Sequence, residues 1–187
     1  LKFYQKGHPI PLSDRVPMLE HFGFRVIDER SYTITPRDGE VRYLHDMLLE
    51  VGAEARGDLA EVARDIEAGI LAVWHQGAES DQLNTLITTT PLTWQQVALL
   101  RALSRYLRQV GTPFSQRYIA QVLVTQKEAA CALIDLFSAL HDPAHSDGDK
   151  ATEDARARLD KLRAQTSSLD EDTILARLQN IIQASLR

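Results

Sequence analysis

The hydropathy pattern of the chain changes near residue 52. Before that point, short apolar and aromatic runs alternate with polar residues, which is typical of strands. Turn-forming residues separate two of these runs at Pro36-Arg37-Asp38-Gly39. The predicted elements are a strand at Leu1–Gln5, a helix capped by Ser13 and ended by Gly23, and strands at Phe24–Thr35 and Val41–Glu50.

Beyond residue 52, apolar residues recur every three or four positions, which predicts helices. Thr93 and Gln96 match a capping box, and Ser168 and Glu171 repeat it. The stretch Thr152–Gln165 alternates charges and predicts a solvated helix. One further predicted helix carries the apolar stripe from Leu59 to Val73. Four others run from Asp81 to Ile87, from Thr93 to Val110, from Ser115 to Val124 and from Lys127 to Leu140.

These patterns predict an α+β protein with a small β-α-β-β unit over residues 1–52 and a larger helical domain over residues 53–187. Composition agrees, because six of the twelve aromatic residues and four of the seven prolines precede residue 52. The chain begins at Leu1 in strand-like sequence and stops at Arg187 in helical sequence, so we expect it to be part of a longer polypeptide.

Composition narrows the function classes. A net charge of −5 gives the molecule no general attraction to nucleic acid or to an anionic membrane, and we expect neither as a partner. No apolar run approaches the roughly 20 residues that a membrane-spanning helix needs. The single cysteine, Cys131, excludes an intrachain disulfide and fits a reducing compartment, so we expect a cytoplasmic protein. Because Cys131 has no histidine close by in sequence, a packed thiol is favoured over a nucleophile.

Motifs for catalysis are absent from the sequence: it has no glycine-rich nucleotide loop, no G-x-S-x-G and no H-E-x-x-H. Four residues around a predicted loop could hold a divalent cation, namely His141, His145, Asp147 and Asp149. However, Asp142-Pro143 breaks the helix, and a solvated loop is the favoured interpretation. The residues therefore predict no catalytic group, no cofactor site and no metal site in this chain.

Arg101, Arg105 and Arg108 fall on one face of a predicted helix, turned away from its apolar stripe. Three guanidinium groups in this arrangement could bind an anion or a nucleotide phosphate. Ion pairing with other helices or domains is the favoured alternative, because the chain has 26 acidic residues against 21 lysines and arginines.

A second candidate site is the connection from the first strand to the first helix. Pro11, Leu12 and Ser13 lead into a helix N-terminus, where free backbone N–H groups can receive a carboxylate. This loop could bind an effector, and an ordinary strand-to-helix connection is the favoured alternative.

Several stretches of the sequence resemble the large bacterial NAD-specific glutamate dehydrogenases, in the family's order and over nearly the whole chain. They lie within Leu1–Glu29, Ala78–Leu86, Leu99–Ile119 and Ser168–Arg187. The resemblance implies an ACT-like regulatory module followed by a helical region, both located before the catalytic domain.

The resemblance also implies what the parent enzyme does: it converts L-glutamate, NAD and water to 2-oxoglutarate, ammonium and NADH. NAD and the substrate-binding lysines would belong to a part of the parent beyond Arg187, and this segment alone would be inactive. The expected partners are the remainder of the parent chain, further copies in a homo-oligomer, and an amino-acid effector.

The sequence departs from the family pattern at three places. Pro11-Leu12-Ser13 lacks the glycine that lets an amino acid approach the backbone of ACT modules. No convincing fourth strand follows Glu50, so the β-α-β-β unit is expected to be incomplete or to borrow a strand. Thr173 and Ala176 stand where arginines are expected. Two other functions therefore stay open: an amino-acid-sensing module and a helical adaptor for an unrelated protein.

Overall fold

The computed structural model describes residues 1–52, 57, 59–142 and 148–186. Over these residues the protein is α+β, as the hydropathy pattern predicts. The first part contains β1 (Lys2–Lys6), α1 (Leu12–His21), β2 (Phe24–Ile34) and β3 (Arg42–Val51). The helices that follow are α2 (Leu59–Trp74), α3 (Thr85–Thr89), α4 (Trp94–Gln109), α5 (Gln116–Thr125), α6 (Lys127–His141), α7 (Gly148–Ala164) and α8 (Leu169–Ala184). The short helix predicted at Asp81–Ile87 is a 3-10 turn, Gln82–Asn84, that leads into α3.

The sheet is antiparallel and has the strand order β1-β3-β2 within the described residues. Tyr4 of β1 and Tyr32 of β2 both lie opposite Leu44 of the central strand. The register shifts between Val26 and Asp28 of β2, and such a bulge bends the strand and increases its twist. The predicted hairpin of β2 and β3 is present, and the described part of the sheet has these three strands.

The start of α1 differs from the prediction. Pro11, not Ser13, occupies the N-cap position, with φ −61° and ψ 145°. Proline suits this entry because its missing N–H would have no helical partner there. Ser13 lies inside the first turn, where its hydroxyl donates to Asp14 Oδ1 at 3.3 Å. At the other end Gly23 adopts φ +82°, the left-handed conformation that the sequence predicts for a residue ending a helix.

Phe22 joins the α/β unit to the helices. Its side chain is fully buried, and a Cβ added to Gly69 of α2 would lie 2.9 Å from its ring. The hydroxyls of Thr85 and Thr88 donate to the carbonyl oxygens of His21 (3.0 Å) and Phe22 (2.8 Å). The end of α1 is therefore fixed on the helical region by one buried ring and two hydrogen bonds.

One hydrophobic cluster extends from the sheet into the helices. It includes Met47 of β3, Phe22 at the C-cap of α1 and Ile70 of α2, all at most 4% exposed. The predicted boundary between residues 52 and 53 stays a prediction, because residues 53–56 lie outside the described ranges.

Two predicted caps organise the helical region. The Thr93 hydroxyl accepts from the N–H of Gln96, whose side chain accepts from the N–H of Thr93, which completes the capping box of α4. Ser168 caps α8 by accepting from the N–H of Glu171. The Glu171 carboxylate accepts from the Gln126 amide at 2.8 Å, so it also ties α8 to the start of α6.

The prediction that Thr152–Gln165 forms a solvated helix is wrong for one face of α7. Leu159 is fully buried and Ala155 is 8% exposed, and the helix packs along α6. Half-buried Leu162 extends this face, so Ala155, Leu159 and Leu162 lie four and three positions apart, and small alanines on α6 such as Ala132 allow close approach. Three apolar residues among many charged ones make a short stripe that is easily overlooked in the sequence.

Candidate functional site

The loop between β1 and α1 lies over the inner face of the sheet and is held at two points. Ile10 is 4% exposed, and its backbone N–H donates to Nε2 of His45 at 3.2 Å. The Pro11 carbonyl accepts from the backbone N–H groups of Asp14 and Arg15 and from Arg15 Nε at 3.4 Å. The predicted effector residues Pro11, Leu12 and Ser13 follow this anchor and are all exposed.

Beneath the loop lies a buried polar network that sequence reasoning missed. Because Nε2 of His45 accepts the N–H of Ile10, the neutral ring carries its proton on Nδ1. Nδ1 lies 2.6 Å from Ser31 Oγ, which donates to Glu29 Oε1 at 2.7 Å. Arg15 Nη1 donates to the same carboxylate oxygen at 2.6 Å. His45 and Arg15 are 2% and 3% exposed, so the network is closed and rigid.

The charge of Glu29 is stabilised by its partners. Burial alone would raise the pKa of this carboxyl, but hydrogen bonds from Ser31 and Arg15, the charge of Arg15 and a hydrogen bond from His45 together lower the pKa below its ordinary value of 4.5. Glu29 is therefore an anion at neutral pH, and it neutralises Arg15 inside the fold. The network positions the loop, and Arg15, Ser31 and His45 all lie within hydrogen-bond distance of the same Glu29 oxygen, Oε1.

Arg101 differs from the prediction that it lies with Arg105 and Arg108 on a face turned away from the core. Its side chain is buried. Its Nε and Nη2 donate to the two carboxylate oxygens of Asp81 at 2.6 and 2.9 Å, and Nη2 also donates to Asn84 Oδ1 at 2.8 Å. Asp81 in turn caps the 3-10 turn by accepting the N–H of Leu83. Arg101 thus fixes the segment before α3 on α4.

Arg105 and Arg108 lie further along α4 and are exposed. Arg105 pairs with Glu79, and Arg108 Nη1 donates to the Phe114 carbonyl at 2.8 Å. Arg101, Arg105 and Glu79 line an open groove of about 610 Å³. Each of the three arginines therefore has a protein partner in this structure. Whether the face also binds an anion stays a prediction.

The other candidate residues do not form a second site. Burial raises the pKa of the Cys131 thiol, which disfavours the reactive thiolate. His141 packs against the Phe137 ring, with centroids 4.6 Å apart. His145 and Asp147 lie outside the described residues, and so does the side chain of Asp149. Over the described part of the chain, no group of three or more histidine, cysteine, aspartate or glutamate side chains is placed to hold a metal ion.

None of the described helices is long and apolar enough to cross a membrane.

Two family models match the chain. Residues 1–62 match the ACT3 domain of glutamate dehydrogenase, and residues 78–143 match its helical motif 3. The three-stranded sheet with α1 lies within the first match, and α3 to α6 lie within the second. The fold and the matches together define an ACT-like module joined to a helical motif of a glutamate dehydrogenase.

Relatives cover the whole chain. An NAD-specific glutamate dehydrogenase of Halomonas elongata is 37% identical over 187 residues. Enzymes of the same name from Mycobacterium tuberculosis and Pseudomonas aeruginosa are 35% identical over 195 residues and 32% identical over 190. The chain spans 12% of the length of each. It is thus similar over its whole length to one segment of NAD-specific glutamate dehydrogenases, which confirms the resemblance inferred from the sequence.

The described residues do not form the site that doubly wound folds use for NAD, the dinucleotide in the relatives' name. In those folds a glycine-rich turn leads from a parallel strand into a helix, whose N–H groups hold the pyrophosphate. Here the sheet is antiparallel, and the turn into α1 contains Pro9 and Pro11, which lack an N–H. The N–H of Ile10 between them is bonded to His45.

Proposed function

We propose that this chain is a non-catalytic regulatory and architectural segment of a large NAD-dependent glutamate dehydrogenase. The parent enzyme oxidises L-glutamate with NAD and water to 2-oxoglutarate, ammonium and NADH. The segment lies before the catalytic domain, and its role is to hold an ACT-like module on a helical support. NAD is bound elsewhere in the parent.

One observation carries this proposal: the chain is similar over its whole length to NAD-specific glutamate dehydrogenases, and yet its two buried networks of charged side chains are bonded internally. Arg15, Glu29 and His45 form one closed network. Arg101 and Asp81 form a second. A catalytic site needs groups aimed at a place where a substrate can sit. Both networks instead hold segments of backbone, which favours support over chemistry.

Turnover of L-glutamate with NAD by the purified chain tests the proposal. We expect no NADH formation above the level of a protein-free blank, with the full-length enzyme as the positive control. NADH formation that depends on both substrates and on the chain would contradict the proposal.

The expected partners are the remainder of the parent polypeptide and further copies of it. Arg105 and Arg108 are exposed on the C-terminal half of α4. We propose that they face another part of the parent and not a phosphate. Their present bonds to Glu79 and to the Phe114 carbonyl support this, because a bound anion would have to displace them. A cytoplasmic location is part of the proposal, supported by a single cysteine that is free.

A second candidate function, the sensing of an amino acid, is favoured by the loop at Pro11, Leu12 and Ser13. These residues are exposed at the N-terminal end of α1, where N–H groups attract a carboxylate. The polar network beneath would hold the loop in place for a ligand.

Thermal-shift measurements with a panel of amino acids test this second function. A sensor would gain thermal stability with one amino acid and lose that gain in Ser13→Glu, because the added carboxylate repels the ligand. Leu169→Glu is the matched control, since it adds the same charge to the exposed first turn of α8. A flat response across the panel rejects sensing by this loop.

A further inference from the structure

The sheet exposes apolar side chains on the side opposite to the core. We define the outer sheet face by alternate residues of β3 and their neighbours across the register. The β3 residues are Arg42, Leu44, Asp46, Leu48 and Glu50. The apolar neighbours are Tyr4 of β1 and Tyr32 and Ile34 of β2, with exposed Ile27 at the β2 bulge, and the charged neighbours are Lys2, Lys6, Arg25, Asp28 and Arg30. On β3, His45 and Met47 point to the opposite side and are buried.

Exposure on the outer sheet face is high for residues of this type. Leu48 is 60% exposed, Tyr4 56%, Ile27 49%, Tyr32 47% and Ile34 39%. An antiparallel sheet with one solvated face normally carries polar residues there. Tyr4, Leu44 and Tyr32 form one apolar row, and the charged row of Lys2, Asp46 and Arg30 separates it from Leu48. Exposed apolar groups with a polar surround are typical of an interaction surface.

The charges on the outer sheet face already have partners within the chain. Lys2 lies 3.6 Å from Asp46, and Arg25 lies 3.2 Å from Glu50. Arg42 lies 2.7 Å from Asp38. Covering the face would therefore bury paired charges, which costs less than burying the same charges without partners.

The outer residues of β3 also form a self-complementary series. In order they are Arg42, Leu44, Asp46, Leu48 and Glu50. If a second β3 crosses in the opposite direction with Asp46 at the centre, Arg42 of one copy meets Glu50 of the other. Leu44 then meets Leu48. The central Asp46 lies beside Lys2 and opposite Arg30 in its own sheet, so cations surround the axis.

We propose that two copies of this chain pack outer sheet face to outer sheet face about a two-fold axis at Asp46. Such an interface uses the same patch on both copies, as a two-fold dimer requires. Packed sheets lie about 10 Å apart with their strands roughly aligned, which suits the exposed tyrosine and leucine side chains between them. This inference goes beyond the architectural function and gives the homo-oligomer a specific surface.

Sedimentation velocity of the 187-residue chain over a concentration series tests the proposal. We expect a monomer–dimer equilibrium, and we expect Leu48→Lys to weaken dimerisation about tenfold or more, because it places charges opposite Leu44. The matched control is Leu169→Lys, at an 80% exposed leucine on α8, which should dimerise like the unchanged chain. Circular dichroism checks that both variants fold. A monomer at all concentrations, as expected if another part of the parent covers the face, would overturn the proposal.

A charge exchange tests the predicted register. Arg42→Glu places two acidic residues opposite each other in its dimer, and Glu50→Arg places two basic residues opposite each other. We expect either variant alone to dimerise more weakly. An equal mixture should recover the dimer, because every contact in the mixed pair joins opposite charges. If the mixture is no more dimeric than the separate variants, the two-fold arrangement at Asp46 is wrong.

Discussion

The α/β unit and the helical region differ in where their exposed apolar residues lie. In the helical region such residues lie on different helices, as Leu71, Tyr106 and Leu169 do, and a buried ion pair joins Arg101 to Asp81. The α/β unit buries the polar network of Arg15, Glu29 and His45 on the inner face of its sheet and exposes several apolar residues on the outer one. Exposed apolar side chains are therefore gathered on one face of the sheet, whereas on the helices they are scattered.

Phe22 is the residue whose truncation should affect both regions most. Phe22→Ala removes a fully buried ring at the junction of α1, α2 and α3, and we expect a loss of about 3–5 kcal/mol in the free energy of unfolding. Urea denaturation measures the loss. Phe114→Ala, at a half-buried ring in the loop before α5, should cost less. An equal or smaller cost for Phe22→Ala would mean that the two regions are not coupled through this ring.

Arg101 is the polar residue on which the helical region depends most. Arg101→Met leaves Asp81 and Asn84 without their partner, and we expect a loss of about 3 kcal/mol in the free energy of unfolding. Arg105→Met, one turn along the same helix, breaks only an exposed pair and should cost less than about 1 kcal/mol. Similar costs for the two variants would show that burial of Arg101 is not what distinguishes them.

Substitutions at Thr93 and Ser13 test how the helix starts differ between the two regions. Thr93→Ala removes one half of the capping box of α4, so we expect a loss of about 1 kcal/mol in the free energy of unfolding. Ser13→Ala should have almost no effect, because Pro11 occupies the N-cap of α1. Thermal or urea unfolding of both variants measures the difference. An equal loss of stability in Ser13→Ala and Thr93→Ala would mean that Ser13 caps α1, as the sequence predicts.

Glu29 should give the α/β unit a pH dependence in acid. Its pKa is lower in the folded chain than its ordinary value of 4.5, so its full contribution to stability is present above that pH. The contribution is lost as the pH falls from 4.5 through the folded value, because the unfolded chain takes up the proton first. When unfolding is measured at several pH values, the free energy of unfolding should fall less steeply in acid for Glu29→Gln than for the unchanged chain. Glu20→Gln, at an exposed position of α1, controls for the loss of one negative charge. An equally steep decrease of the free energy of unfolding in acid for Glu29→Gln and the unchanged chain would contradict the prediction.

Local signals predicted most of the fold. The α+β class, the β2–β3 hairpin, the Gly23 helix end and the Thr93 capping box all follow from hydropathy period and turn chemistry. Ser13 failed as a cap because a proline two positions earlier competes for the same role. The buried face of α7 was missed because its three apolar residues, Ala155, Leu159 and Leu162, are few among the charged residues of that helix.

The candidate site was harder to predict because its contacts are distant in sequence. His45 and Glu29 lie at inner positions of the predicted hairpin, so the pattern contained a signal that two polar residues face the core together. No local pattern shows which partners His45 and Glu29 bind. Those partners, Ile10 and Arg15, lie in the loop and the helix before the hairpin. Arg101 was misplaced for the same reason: its carboxylate lies 20 residues earlier in the chain.

Fluorescence titration of NADH with the purified chain tests most directly whether this segment leaves the reaction to the rest of its parent. We predict no saturable change in NADH emission, while full-length enzyme under the same conditions gives one. Saturable binding of the dinucleotide to these 187 residues would contradict the account.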